Sequence, residues 1–150
     1  MSRNSLRLLA VLLTVLIVVI AFNAFDHLPS SVRAQIDSER AAVAAHQKQL
    51  NTAQQNFSSE QQAHQPLFRD LAGAQQVPAR FSKASNDLQS ASQQMADLNR
   101  LEKQGRYNDR QKAESLLATV RAAEASAKSQ IAAIQSDVSG WIERSQHLPA

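Results

Sequence analysis

Cysteine is absent from this chain of 150 residues. Glycine, proline and aromatic residues are scarce, with 3 Gly, 4 Pro and 5% Phe, Trp and Tyr. The lack of cysteine excludes disulfide scaffolds, thiolate metal sites and cysteine nucleophiles. Because alanine supplies much of the apolar content and few residues interrupt a helix, we expect long, thin helices rather than a thick globular core, in at most one domain.

The chain also lacks a cluster of charge of one sign. Its formal net charge is +3, but two of the 16 Lys and Arg, Arg3 and Arg7, precede all 13 Asp and Glu. The part after Phe25 therefore has 14 positive and 13 negative side chains, a net charge of +1, with the signs interspersed. Nucleic-acid-binding surfaces need clustered Lys and Arg, so no nucleic-acid partner is expected.

Patterns that carry chemistry are missing as well. The sequence contains no G-x-S-x-G nucleophile, no glycine-rich phosphate loop and no carboxylate pair that spacing forces together. The 4 histidines are scattered along the chain. We therefore expect no enzymatic activity, no cofactor, no metal site and no small-molecule substrate.

One long hydrophobic run dominates the N-terminus. From Leu8 to Phe25 the sequence LLAVLLTVLIVVIAFNAF contains no charge, and a bilayer-spanning helix needs about 20 apolar residues. Arginines precede the run and Asp26 follows it. The positive-inside rule therefore places residues 1–7 in the cytoplasm and the rest of the chain on the periplasmic, extracytoplasmic side.

A cleaved signal peptide would have the same charge layout, so that alternative stays open. The run is longer than the roughly 7–15 apolar residues of a signal peptide, and Phe22 stands where cleavage after Ala24 needs a small residue. A weaker cleavage motif, Val32-Arg33-Ala34, lies further along the chain. We favour an uncleaved signal anchor that crosses the inner (cytoplasmic) membrane once.

The polar chain is predicted to be helical from a joint at residues 26–31 onward. Pro29 interrupts a continuous helix there, and Ser30 or Ser31 can cap the next one. Residues 32–146 then form a helical domain with helices at about 32–72, 78–104 and 109–139, before a tail at residues 147–150. The fold class is all-α: a transmembrane helix followed by long antiparallel coiled-coil-like helices, as a hairpin or a three-helix bundle.

Local signals specify the helix ends. Pro66 should break the first helix, Gly105 should end the second in the left-handed conformation, and Asn108 with Gln111 should cap the third. Glu124 and Lys128 are expected to pair on the outer face of the third helix.

A narrow apolar stripe runs along all three helices. In the first helix it recurs every seven residues, with His64 as a polar interruption, and such a repeat keeps one stripe facing a partner. The predicted interaction stripe consists of Ile36, Val43, Leu50, Phe57, Leu71, Phe81, Leu88, Met95, Leu98, Leu117, Val120, Ile131, Ile134 and Val138.

Three further residues are candidates for recognition. Arg106 and Tyr107 lie in the predicted short turn, where they could form a recognition tip or a plain exposed turn. Trp141 could anchor a partner or close the end of the bundle.

The segment Leu98–Gly105, the turn after it and the alanine-rich helix up to Ile134 resemble the helical hairpin of periplasmic efflux adaptor proteins. Those adaptors flank the hairpin with β-rich lipoyl-like segments, whereas a predicted helix fills that place here. Asn108 stands where their tip has serine. The resemblance implies a helical hairpin, and the adaptor function is not carried over.

These features predict a membrane-anchored scaffold or interaction protein of the bacterial cell envelope. It would act through coiled-coil contacts with itself, as a homo-oligomer, or with an envelope protein. One alternative is a periplasmic helical-bundle sensor or ligand-binding module that works through a partner. Another is a phage inner-membrane lysis protein of the spanin kind, which pairs an N-terminal anchor with a periplasmic coiled coil at this size.

Overall fold

A computed structural model describes residues 12–20 and 27–146, and the ordered elements in these ranges are all helical. The helices after the N-terminal segment are α1 (Ser30–Ala63), α2 (Gln65–Asp70), α3 (Ala72–Gln75), α4 (Val77–Gln104) and α5 (Arg110–Gln146), with a 3-10 turn at Tyr107–Asp109. The predicted all-α class is confirmed. The three long helices form a helical bundle.

The order of the contacts along the helices gives the topology of the bundle. Arg40 near the start of α1 hydrogen-bonds Asn99 and Glu102 near the end of α4. Phe57 near the end of α1 packs on Phe81 near the start of α4. Helices α1 and α4 are therefore antiparallel, and α5 runs parallel to α1 because α4 turns directly into it.

The core is one stripe of side chains from each long helix. In α5 the buried residues alternate in steps of four and three, which is the spacing that keeps one face of a helix turned inward. They are Ala113, Leu117, Val120, Glu124, Ala127, Ile131, Ile134, Val138 and Trp141. The stripe of α4 has the same spacing from Val77 to Leu98.

The three prolines within residues 27–146 lie at helix starts, where a missing N–H is tolerated. Pro29 precedes α1 as its N-cap, and α1 begins without a side-chain cap from Ser30 or Ser31. The first long helix was expected to reach residue 72, but it ends at Ala63 because His64 leaves helical geometry at φ −121° and ψ 39°. Pro66 then lies in the first turn of α2, and Pro78 in that of α4.

The turn between α4 and α5 differs from the prediction. Gly105 has φ −74° and ψ 144°, so the expected left-handed stop is wrong. Its N–H donates to the carbonyl of Leu101 at 2.6 Å, so closely that a Cβ on Gly105 would collide with that carbonyl. The predicted Asn108–Gln111 cap is also wrong, because the Arg106 N–H donates instead to Oδ2 of Asp109 at 2.9 Å.

The predicted membrane span, residues 8–25, is described only at residues 12–20, which are helical. Its flanks at 8–11 and 21–25 lie outside the described residues, as do the N-terminus 1–7 and the tail 147–150. Within residues 12–20 and 27–146, no helix combines the length and the apolar character needed to cross a bilayer.

Two glycines should respond in opposite ways to substitution by alanine. Gly105→Ala must displace the Leu101 carbonyl and should destabilise the fold, by about 1–3 kcal/mol. Gly140→Ala adds a methyl group inside α5, where the nearest atom, Nη1 of Arg144, is 3.9 Å away. It should therefore stabilise the fold by about 0.5–1 kcal/mol.

Urea denaturation followed by circular dichroism measures both changes. A change in the free energy of unfolding that has the same sign in both variants would contradict the close contact between Gly105 and the Leu101 carbonyl.

Candidate functional site

The structure places nearly all of the predicted interaction stripe inside the chain's own core. Leu71 is half-buried against that core. The buried members are Ile36, Val43, Leu50, Phe57, Phe81, Leu88, Met95, Leu98, Leu117, Val120, Ile131, Ile134 and Val138. The stripe is thus covered by the other helices of the same chain.

The two predicted turn residues lie at the end of the bundle where α1 begins. Arg106 and Tyr107 are both exposed, Tyr107 at 39%. Leu28, two residues before α1, is buried in the cluster that contains Leu98 and Leu101 from the end of α4. The turn and the start of α1 therefore share one end of the bundle, the near end.

Trp141 lies at the opposite, far end, in an aromatic cluster. Its ring meets Phe68 of α2 edge-on with centroids 6.0 Å apart, and Phe68 meets Phe57 of α1 at 5.7 Å. Trp141 also packs so closely on Gly73 of α3 that a Cβ there would lie 2.8 Å from the indole ring. The aromatic cluster thus holds α2 and α3 over the far end of the bundle.

An open groove of about 520 Å³ lies beside this cluster, between α1 and α5. Its apolar part consists of Ala53, Phe57, Ile134, Val138 and Ile142. Polar side chains also line it: Asn56, Ser59, Glu60, Gln135 and Ser139. The groove is a mixed surface at the far end, and a chemically reactive constellation is not found among its lining residues.

A polar layer interrupts the core halfway along the bundle. Glu124 of α5 is 5% exposed, and its Oε1 lies 3.3 Å from Nδ1 of His46 on α1. Glu39, one heptad before His46 on α1, accepts a hydrogen bond from Nε of Arg121 and acts electrostatically on Glu124. We call Glu39, His46, Arg121 and Glu124 the polar layer.

The polar layer divides the apolar core into two separate clusters. The cluster toward the near end includes Val43 of α1 and Val120 of α5, and the cluster toward the far end begins with Leu50 and Ala127. Glu124 occupies the step of the α5 stripe between Val120 and Ala127. Its burial contradicts the expected outer-face pair with Lys128.

Burial is the largest cause of a raised pKa for Glu124, and the neighbouring carboxylate of Glu39 raises the pKa further. His46 acts in the opposite direction. From α4, the side chains at this level of the core are the uncharged Leu88 and Ala91. A carboxyl group whose pKa is raised on folding contributes stability at low pH, and this contribution is lost as the pH rises through the folded-state value.

The spacing of α5 contains a signal that could have identified Glu124. Steps of four and three from Ala113 to Trp141 include residue 124. The sequence nevertheless favours an exposed Glu124, because a carboxylate is unusual in an apolar stripe and Lys128 lies at the i,i+4 spacing of a surface ion pair. His46 and Glu39 are likewise three residues after Val43 and Ile36. For these three residues, the position in the heptad indicates burial in the core, whereas the residue type indicates exposure.

The remaining histidine contacts do not form a metal site in the part of the chain that the structure describes. Nε2 of His64 lies 3.5 Å from Oε2 of Glu60, one helical turn earlier. Within the described ranges, no group of three or more His, Asp or Glu side chains could hold a metal ion.

Comparison with known proteins adds no relative: no family model, curated protein or solved structure matches the chain.

Replacing Glu124 by glutamine should change the pH dependence of stability. Glutamine keeps the shape and removes the ionisable group, so Glu124→Gln should gain stability relative to the unsubstituted protein as the pH rises from about 4 to 8. Chemical denaturation across this range measures the difference. Glu143→Gln, on the exposed face of the same helix, is the matched control, and an identical pH profile for the two variants would contradict a buried Glu124.

Replacing Trp141 distinguishes the two roles predicted for it. As part of the aromatic cluster, Trp141→Ala should cost about 3–5 kcal/mol of stability, and Trp141→Phe should cost clearly less because an aromatic ring remains. Because Trp141 is the only tryptophan, circular dichroism should follow the unfolding. A Trp141→Ala variant with unchanged stability would contradict the structural role.

Proposed function

We propose that this chain is a membrane-tethered helical scaffold of the cell envelope. Residues 8–25 act as an uncleaved anchor in the inner membrane, with the N-terminus in the cytoplasm. The bundle lies on the extracytoplasmic side and presents its far end to a partner protein or to a second copy of the chain. Its role is reach and docking rather than chemistry.

The observation that carries the proposal is the contrast between two apolar surfaces. The large apolar side chains of residues 12–20 are 47–60% exposed and surround that helical segment, whereas the apolar stripes of the bundle are buried within the chain. A contiguous exposed apolar surface marks contact with a membrane or a protein. A bilayer covers such a helix on all sides, which matches the apolar residues around its whole circumference.

The dimensions of the bundle support a role in reach. Helix α5 has 37 residues, which corresponds to about 55 Å at 1.5 Å per residue. The proposed anchor ends at residue 25, α1 begins at Ser30 and α5 runs parallel to α1. We therefore expect α5 to end far from the membrane. The aromatic cluster and its groove then lie at the outer end.

The apolar stripe was expected to form coiled-coil contacts with a partner, and its burial within the chain changes which surface we propose for docking. Since the stripe is covered within one chain, a partner would contact the groove beside Phe57 and the half-buried Leu67, Leu71 and Ile142 at the far end. These side chains are apolar and lie against the aromatic cluster. They are the best-placed residues for docking that the bundle leaves partly uncovered.

Single-cysteine variants test the proposed topology, because the chain has no cysteine of its own. Ser92→Cys, on the exposed face of α4, should react with a membrane-impermeant maleimide in cells whose outer membrane is permeabilised. Ser2→Cys should react only after the inner membrane is also opened.

Membrane fractions of the same cells provide the control. After alkaline carbonate extraction, the chain should remain in the membrane pellet and should have its full-length mass. Release of a shortened chain would support a cleaved signal peptide, and release of the full-length chain would contradict anchoring.

A further inference from the structure

We propose that the turn between α4 and α5 makes a second contact with the membrane, by binding the headgroups of anionic phospholipids. The contact surface consists of Lys103, Arg106, Tyr107 and Arg110, which we call the basic turn. This inference rests on the proposed anchor. It adds that the near end of the bundle is bound to the bilayer, which restricts the orientation of the bundle relative to the anchor.

Chain connectivity brings the near end close to the bilayer. Leu28 lies three residues after Phe25, where the predicted span ends, so it is within about 11 Å of that point even if the chain is fully extended. Leu28 is 1% exposed and belongs to the core cluster with Leu101 and Ala113. These two residues flank the basic turn, one on α4 and one on α5.

The register of the parallel helices gives the same placement. Arg121 of α5 contacts Glu39 of α1. Arg110 precedes Arg121 by 11 residues, and Leu28 precedes Glu39 by 11 residues. With equal rise along two parallel helices, the start of α5 lies level with Leu28. The basic turn is therefore at the membrane-facing end of the bundle.

The side chains of the basic turn suit a lipid headgroup surface. Lys103, Arg106, Tyr107 and Arg110 are all exposed. Among the described residues, Tyr107 is the one large hydrophobic residue outside 12–20 that is classed as exposed. Tyrosine is enriched at membrane interfaces, and Lys and Arg near a membrane surface are attracted to anionic lipids.

The carboxylates near the turn do not cancel its positive charge. Oε2 of Glu102 pairs with Nη2 of Arg40 at 2.6 Å, on the side of α1. Oδ2 of Asp109 accepts the backbone N–H of Arg106. Nε of Arg110 pairs with Oε1 of Glu114 at 2.8 Å, so Lys103 and Arg106 are the cations of the basic turn without an ion pair to a carboxylate of α5. From Lys103 to Glu114, with Lys112 included, there are four cations and two acids, a net charge of +2 at the near end.

The test uses the full-length chain, reconstituted into vesicles of phosphatidylcholine alone or with phosphatidylglycerol as about one third of the lipid. An environment-sensitive fluorophore is attached to Asn108→Cys in the turn or to Gln76→Cys at the far end. A nitroxide on the lipid headgroup should quench the label at residue 108 strongly in the anionic vesicles and weakly in the neutral ones. The label at residue 76 should remain unquenched in both.

Charge variants make the test specific. Removing each cation from a surface near anionic lipid should lower the contact equilibrium about fivefold, so Lys103→Gln with Arg106→Gln should abolish most of the quenching at residue 108. Lys48→Gln with Lys128→Gln removes the same charge from exposed positions halfway along the bundle and should leave the quenching unchanged. Unchanged thermal unfolding of the variants would show that the fold is retained.

The outcomes separate this inference from the proposed anchor. Failure of the chain to float with either kind of vesicle would overturn both. Flotation with equal quenching in neutral and anionic vesicles, or quenching that persists after Lys103→Gln with Arg106→Gln, would overturn the lipid contact alone. Quenching at residue 76 in place of residue 108 would show that the opposite end faces the membrane and would also overturn it.

Discussion

Burial of one narrow apolar stripe on each of three long helices is the constraint on which the rest of this structure depends. Steps of three and four residues leave each helix with a single face to cover, and two neighbouring helices are enough to cover it. The result is a long, thin bundle. Within residues 27–146, aromatic rings enter the core only toward the far end, where the short helices α2 and α3 lie over the bundle. These rings belong to Phe57, Phe68, Phe81 and Trp141.

Within residues 27–146, the polar layer is the one place where this constraint is broken. Burying Glu124 has a desolvation cost that a well-packed apolar side chain would not have. The layer does, however, depend on the alignment of α1 with α5. A slip of one heptad would set Ala53 or Glu39 where His46 now faces Glu124, and either change removes the histidine partner. A core of leucine and alanine repeats would tolerate such a slip more easily.

The parallel arrangement of α1 and α5 gives the molecule two different ends. The near end combines the start of α1 and the basic turn. The far end combines the aromatic cluster, the groove and the break at His64. The proposed lipid contact uses the near end, and the proposed docking of a protein uses the far end. The proposed scaffold function uses that separation.

The sequence by itself determined the all-α class, the three long helices and the residues of the apolar stripe, because periodicity reports which side chains share a face. It also placed Pro66 and Pro78 near helix boundaries, since proline fixes the backbone locally. Only the tertiary structure decided that the stripe is covered within one chain, that Glu124 points inward and that Gly105 is needed for a close approach to Leu101. These depend on which surface lies opposite, and a repeat along one helix carries no information about the partner that covers it.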